Sequence, residues 1–265
     1  MSRRKLFDLI DKSNSELPEN KRFLNDVMTA IERYAEMTSR KPSVWYKPSS
    51  LNCMRNMYFT RISAPTDPSR GEYNSIGMAD TGTRRHEAIQ EVLIAMKDMG
   101  YDWEYVDVEQ YVKDKQAQGK CTSLKVKGTV GAETHLFDEV LKISFRCDGI
   151  IRNTVTNEYY LFEFKNQTSF KYRDKKAVDD AHKNQVVCYC TALDLDKAFV
   201  LYENRDVCTL ECPEIFEVTK EMKQDIVDRL MTCEQYVEHL EVPPKPDNTK
   251  PCRWCNYKGI CGRSD

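Results

Sequence analysis

The chain has 265 residues, 40 Lys and Arg against 42 Asp and Glu, and a formal net charge of −2. That length points to one domain or two, and burying about 70–75% of the unfolded surface lets such a chain fold without staples. The composition, 31% charged and 40% hydrophobic, excludes disordered, collagenous and coiled-coil classes. Apolar runs of four or five residues are too short to span a membrane. A near-neutral net charge excludes a globally basic coat, so any DNA contact rests on a local patch.

The basic start Met1-Ser2-Arg3-Arg4-Lys5 leads into Leu6-Phe7-Asp8 with no apolar region behind it, so no secretory signal is expected. Eleven cysteines in a reducing compartment read as metal ligands or core residues rather than disulfides.

In chain order, helices are expected over residues 3–12 and 19–37. In the second, Phe23, Val27, Ile31 and Tyr34 recur at helical spacing. A proline-marked break spans Lys41 to Pro48, a short helix runs from Ser50 to about Thr60, and residues 61–75 read as loop. Thr81-Gly82-Thr83 opens a helix to about Met99, with Gly82 permitting close backbone approach. Strands are expected over 103–112, 124–134, 140–151 and 158–165. Residues 175–193 return to helix, 197–203 and 207–217 to strand, and 219–240 to a long helix ended by Pro243, Pro244 and Pro246. This order implies an α/β domain with a central mixed sheet, flanked by the N-terminal helices and the C-terminal tail.

Glu163 and Lys165 lie two apart in the apolar run Tyr159–Lys165, so they leave the strand on one face while Phe162 and Phe164 leave on the other. A buried charge needs a partner or a metal. Asn153 to Asn157 has turn chemistry. A hairpin centred near Val155, with paired residue numbers summing to about 311, sets Asp148 opposite Glu163. Two carboxylates beside a lysine suit a hard divalent cation, and a cross-strand ion pair is the plain alternative.

On the helix after Gly82, His86 shares a face with Ile89, Gln90 and Leu93. It is a nitrogen donor for a metal or simply a satisfied histidine. Gln185 and Tyr189 face together on the later helix.

Cys252, Cys255 and Cys261 form a Cys-x2-Cys-x5-Cys run, and Cys53 is the natural fourth thiolate. Zinc and an iron–sulfur cluster both accept four thiolates. The remaining cysteines lack ligand spacing and read as small core or surface residues, with Cys147 and Cys188 near the acidic strands. His239-Leu240-Glu241 followed by Pro251-Cys252-Arg253-Trp254-Cys255 matches a zinc deaminase signature in letters. Only nine residues separate the halves, three of them prolines, which leaves no room for the strand and helix that fold requires.

Together the motifs resemble the PD-(D/E)XK nuclease superfamily, in its RecB-like branch with a four-cysteine iron–sulfur cluster. The CRISPR-associated exonucleases, the AddB nuclease domain and phage relatives belong to this branch. The matching stretch runs from Pro48 to Cys261. Its Gly-x-x-x-His helix matches His86, its motif aspartate Asp148, its Glu-x-Lys pair Glu163 and Lys165, its Gln-x-x-x-Tyr motif Gln185 and Tyr189, and its cluster cysteines Cys53, Cys252, Cys255 and Cys261. Asp148 departs from the family pattern in lacking a preceding proline.

The resemblance implies a restriction-endonuclease-like core over 46–241, an N-terminal helical arm over 1–45 and a C-terminal cysteine segment over 242–265 that packs on the Cys53 helix. It implies Mg²⁺ or Mn²⁺ held by His86, Asp148, Glu163 and the Phe164 backbone carbonyl, with Lys165, Gln185 and Tyr189 completing the catalytic set. It implies a 4Fe-4S cluster on the four cysteines, with Zn²⁺ as the alternative. The implied activity is metal-dependent DNA exonuclease action on single-stranded ends, in recombination, repair, replication or CRISPR adaptation. The implied setting is the cytoplasm of a bacterium or of a phage-infected host, away from membranes. The alternative is a DNA-end-binding subunit of a larger complex. Arg84 and Arg85, with Lys171, Tyr172, Arg173, Lys175 and Lys176, are the expected DNA contacts, the tyrosine stacking on a base; a solvated charged loop is the plain reading of the second group.

Overall fold

In the computed structural model the described residues are 18–38, 43–67, 73–130, 133–173, 175–247, 252 and 255–262. The expected helix over 3–12 lies outside them, as do Pro251, Arg253 and Trp254. The chain divides into two compact units, 1–41 with 68–83, and 42–67 with 84–265. The first unit contains helix α1 (Glu19–Thr38) and the opening of helix α3 (Tyr73–Ala95). Phe23 and Tyr34 on α1 are exposed.

The second unit is an α/β arrangement around a mixed sheet. Its strands are β1 (Trp103–Val106), β5 (Gly149–Asn153), β6 (Tyr159–Gln167), β7 (Lys197–Asn204) and β8 (Thr209–Glu211) in spatial order, with β9 (Ile215–Glu217) also on β7. β6 and β7 are parallel and the other pairs antiparallel. Parallel neighbours need a long crossover, supplied by helix α6 (Asp180–Leu193) after the one-turn helix α5 (Ser169–Tyr172). A second sheet joins β2 (Leu124–Val130), β3 (Glu133–Asp138) and β4 (Ile143–Cys147). Helix α7 (Lys220–Glu238) packs on α6 and on helix α2 (Met54–Arg61), and the short helix α8 (Lys258–Cys261) follows. Among the described residues no helix is long and apolar enough to cross a membrane.

Several expected elements divide or shift. The stretch 103–112 is not one strand: it ends at Val106, where Asp107 Oδ1 accepts from Gln110 N at 2.8 Å and caps helix α4 (Val108–Ala117). The expected strand over 140–151 is two strands in two sheets, parted at Asp148. The stretch 207–217 is likewise two short strands. Helix α3 begins at Tyr73 rather than at Thr81, and a Cβ at Gly82 would meet nothing.

The β5–β6 hairpin has the expected register, Gly149 opposite Phe162 and Ile150 opposite Leu161. The period of two then sorts the sheet faces. Phe162 and Phe164 pack with Ile89 and Ile151 under the latter part of α3. Glu163 and Lys165 turn toward α6, where the main core of Leu161, Val186, Leu193, Val200 and Tyr202 lies. Tyr46 and Phe59 extend that core toward α7 and the C-terminal segment.

Candidate active site and cysteine-lined cavity

The chain leaves one sheet and enters the other at Asp148, so its backbone cannot complete either ladder there. The structure supplies substitutes. Gln90 Nε2 and Tyr105 Oη donate to the Asp148 carbonyl at 2.7 and 3.1 Å. The crossing is tight: a Cβ on Gly149 would collide with the Tyr105 ring, which calls for glycine. These contacts fix a buried aspartate beside the acidic strand. Asp148 Oδ2 accepts from Phe164 N at 2.7 Å and stands 3.2 Å from His86 Nδ1. The His86 ring meets Phe164 edge-on, centroids 4.9 Å apart.

Next to Phe164 in the strand, Glu163 is 3% exposed. Its Oε1 accepts from Lys165 Nζ at 2.6 Å and from Gln185 Nε2 at 2.8 Å. Gln185 Oε1 accepts from the same Lys165 Nζ at 3.0 Å, and Gln185 Nε2 also donates to Tyr189 Oη at 2.9 Å. The structure therefore brings together Asp148, Glu163, Phe164, Lys165, His86, Gln185 and Tyr189 in one constellation.

Its electrostatics are unbalanced. Burial, then the nearby Asp148 charge, pushes the Glu163 carboxyl above its ordinary range despite Lys165. Burial pulls His86 down, but its hydrogen bond to Asp148 and the charges of Asp148 and Glu163 outweigh this and raise it. Burial and the Glu163 charge hold the Tyr189 hydroxyl protonated. Glu163 Oε2 is buried with no hydrogen-bond partner, a costly orphan for an oxygen that can accept two bonds. Two carboxylates and an imidazole are donor types that a divalent cation accepts.

The four cysteines Cys53, Cys252, Cys255 and Cys261 line one cavity of about 260 Å³ with Arg55 and Asn56. Cys53 is the N-cap residue of α2. Burial pushes its thiol up, against the N–H groups of Asn56 and Arg55, while Cys255 and Cys252 add to the rise. Polar donors face the sulfurs: Tyr257 N and Asn56 Nδ2 reach Cys255 Sγ at 3.4 and 3.6 Å, and Arg55 Nη1 reaches Cys261 Sγ at 3.6 Å. Four cysteine sulfurs around one cavity, with N–H groups facing two of them, are a donor set that fits a thiophilic metal or cluster. Arg55 also ties the segment down, donating to the carbonyls of Pro243 at 2.6 Å and Cys261 at 3.1 Å. As placed, no three His, Cys, Asp or Glu side chains among the described residues converge on a single ion position. Cys147 and Cys188 are fully buried core residues.

The expected DNA contacts fall into different surroundings. Arg84 is exposed. Arg85 instead forms a forked pair with Glu203 on β7, at 2.6 to 2.9 Å, and Asn166 Nδ2 donates to the same carboxylate at 2.7 Å. This reassigns Arg85: it holds α3 to β7 rather than standing free for a phosphate. Lys171, Tyr172, Arg173, Lys175 and Lys176 line a cavity of about 410 Å³ beside α6. Tyr172 is half-buried against the core. The exposed aromatic of this segment is Phe170, unnoticed in the sequence because an isolated Phe beside Tyr172 has no pattern to mark it.

No family model matches the chain, and no curated protein matches it. Among solved structures it is similar to the one described as the crystal structure of SSO0001, with 17% identity, a TM-score of 0.50, and coverage of 92% of this chain and 98% of that chain. At that identity the likeness concerns the fold alone: an α/β chain with a central mixed sheet flanked by helices.

Proposed function

We propose that the second unit is a restriction-endonuclease-like core of the PD-(D/E)XK type, acting as a divalent-metal-dependent DNA exonuclease on single-stranded ends. One observation carries this reading: Glu163 is buried, its Oε2 has no partner, and it stands in the same constellation as Asp148, Lys165 and His86. The catalytic residues proposed are Lys165, Glu163, Asp148, Gln185 and Tyr189.

Mg²⁺ or Mn²⁺ would be held by His86, Asp148, Glu163 and the Phe164 carbonyl; the imidazole favours Mn²⁺. When bound, the ion supplies charge to the scissile phosphate and acidifies a water. The chain does the rest. Lys165 Nζ, held by Glu163 and Gln185, presents a positive charge where negative charge builds on phosphorus-bound oxygen. Gln185 is itself placed by its contact with Tyr189, so Lys165 has a fixed direction. Hydrolysis joins the water oxygen to phosphorus, breaks one ester P–O bond, and delivers a proton to the departing oxygen.

The cysteine cavity is proposed to hold a 4Fe-4S cluster, or Zn²⁺ in the alternative, tying the α2 start to the C-terminal segment. Its role is structural. Degradation of end-labelled single-stranded DNA with Mn²⁺, set against a Glu163→Ala control, tests the reading. If neither protein degrades DNA while binding persists, the DNA-end-binding alternative replaces it.

A further inference from the structure

The segment that leaves the acidic strand has features the catalytic constellation does not use. β6 runs on from Lys165 to Gln167, and α5 begins four residues past Lys165, about 13 Å along the chain at strand rise. α5 is pinned: Ser169 N donates to Asp206 Oδ2 at 2.8 Å, and Ser169 Oγ donates to Asn204 Oδ1 at 3.0 Å. On this tethered turn Phe170 is 77% exposed. Its ring carries the Arg173 guanidinium 4.9 Å from its centroid, an aromatic–cation pair standing in solvent.

Beside it lies the basic cavity. Lys175 is committed to Asp179 at 2.7 Å and Lys183 to Asp180 at 2.7 Å. Lys171, Arg173 and Lys176 are exposed and, among the described residues, have no carboxylate partner. The cavity adjoins the acidic constellation. Gln167 Nε2, two residues past Lys165, donates to Oδ2 of the cavity-lining Asp179 at 3.1 Å, and His182 feels the charges of Lys165, Lys175 and Lys171.

Unpaired cations in a concavity attract phosphates. An exposed ring on a tethered turn, paired with a guanidinium, offers a flat surface for an unpaired base, which base pairing withholds in a duplex. We infer that Phe170, with Arg173, is the stacking platform for one unpaired base of single-stranded DNA, and that Lys171, Arg173 and Lys176 hold the neighbouring phosphates. The strand then runs from this platform along β6 toward Lys165. This rests on the nucleic-acid reading of the acidic constellation, and it makes Phe170 the residue that selects single strands.

The test is binding of the full-length protein to fluorescent oligo(dT), and to a duplex of equal length, without added Mg²⁺ or Mn²⁺. Phe170→Ala is expected to weaken oligo(dT) binding about ten-fold and leave duplex binding unchanged. Phe170→Trp is expected to restore it. Lys171→Gln with Lys176→Gln is expected to reduce the salt dependence, by about 0.7 in slope for each phosphate no longer neutralised. At protein concentrations where anisotropy shows the oligonucleotide fully bound, a single 2-aminopurine should be quenched by wild type and not by Phe170→Ala, a difference that a folding defect, which abolishes binding itself, does not produce. Wild-type affinity and full quenching in Phe170→Ala would overturn the inference, as would equal losses on single strand and duplex. Wild-type protein that binds and quenches yet never cuts with Mn²⁺ would overturn the nuclease reading and support the platform.

Discussion

Asp148 takes the backbone N–H of Phe164 at 2.7 Å, so the residue that parts the two sheets is bonded to the middle of the acidic strand. This ties stability to the site. Asp148→Ala leaves that buried N–H unpaired and is expected to cost about 1–3 kcal/mol. Asp148→Asn keeps an acceptor there and should lose much less. Chemical denaturation measures both. Mn²⁺ should raise the melting temperature of wild type by several degrees at saturating concentration and shift neither variant comparably.

Arg85 and Glu203 set the seat of the helix that carries His86. Glu203 is 1% exposed and is shared by Arg85 and Asn166. Arg85→Ala strands that carboxylate and is expected to destabilise by on the order of 3 kcal/mol. Arg85→Leu combined with Glu203→Leu should recover part of the loss, and a double-mutant cycle measures the coupling. Additive losses would show the pair to be unimportant.

How far this site was legible depends on the kind of signal. The period of two in Tyr159–Lys165 placed Glu163 and Lys165 on one face and the two phenylalanines on the other, and turn chemistry at Asn153–Asn157 gave the right register. Both are local. The break at Asp148 was not legible, because 140–151 has strand propensity throughout and only the tertiary path sends its halves to different sheets. The cap at Asp107 could have been read from its position before Val108 but lost to the β-rich run preceding it. Arg85 reads as a free cation until β7 brings Glu203 beneath it, and Phe170 marks itself only by being exposed.

His182 gives the acid response a defined direction. Burial, then the Lys165 charge, pulls its ring down from 6.5 to about 4, so it is neutral in the fold and donates or accepts at Tyr202 Oη, 3.0 Å away. A depressed folded-state pKa means stability is complete above about pH 6.5 and is lost as pH falls toward 4. The loss attributable to this ring is on the order of 3 kcal/mol. His182→Asn should flatten the decline in urea midpoint between pH 7.5 and 4.5 relative to wild type. An identical decline in both proteins would contradict it.

The cysteine cavity predicts colour. Protein purified without oxygen should be brown, with iron and sulfide, and serine at Cys53, Cys252, Cys255 or Cys261 should bleach it. Loss of the group frees a loop from Cys53 to Cys261, a change worth on the order of 5 kcal/mol in the chain-entropy picture, so thermal stability should fall with the colour. A colourless protein holding one equivalent of zinc would assign Zn²⁺ instead.

The nuclease reading meets its sharpest test in incubation of the oxygen-free protein with end-labelled single-stranded DNA and Mn²⁺, beside Glu163→Ala and Lys165→Ala. Wild type is expected to degrade the DNA progressively, at least a hundred-fold faster than either variant, in line with the few kcal/mol such a charged group supplies. Degradation at the wild-type rate by Glu163→Ala, or none by wild type with its cysteine-bound group in place, would contradict it.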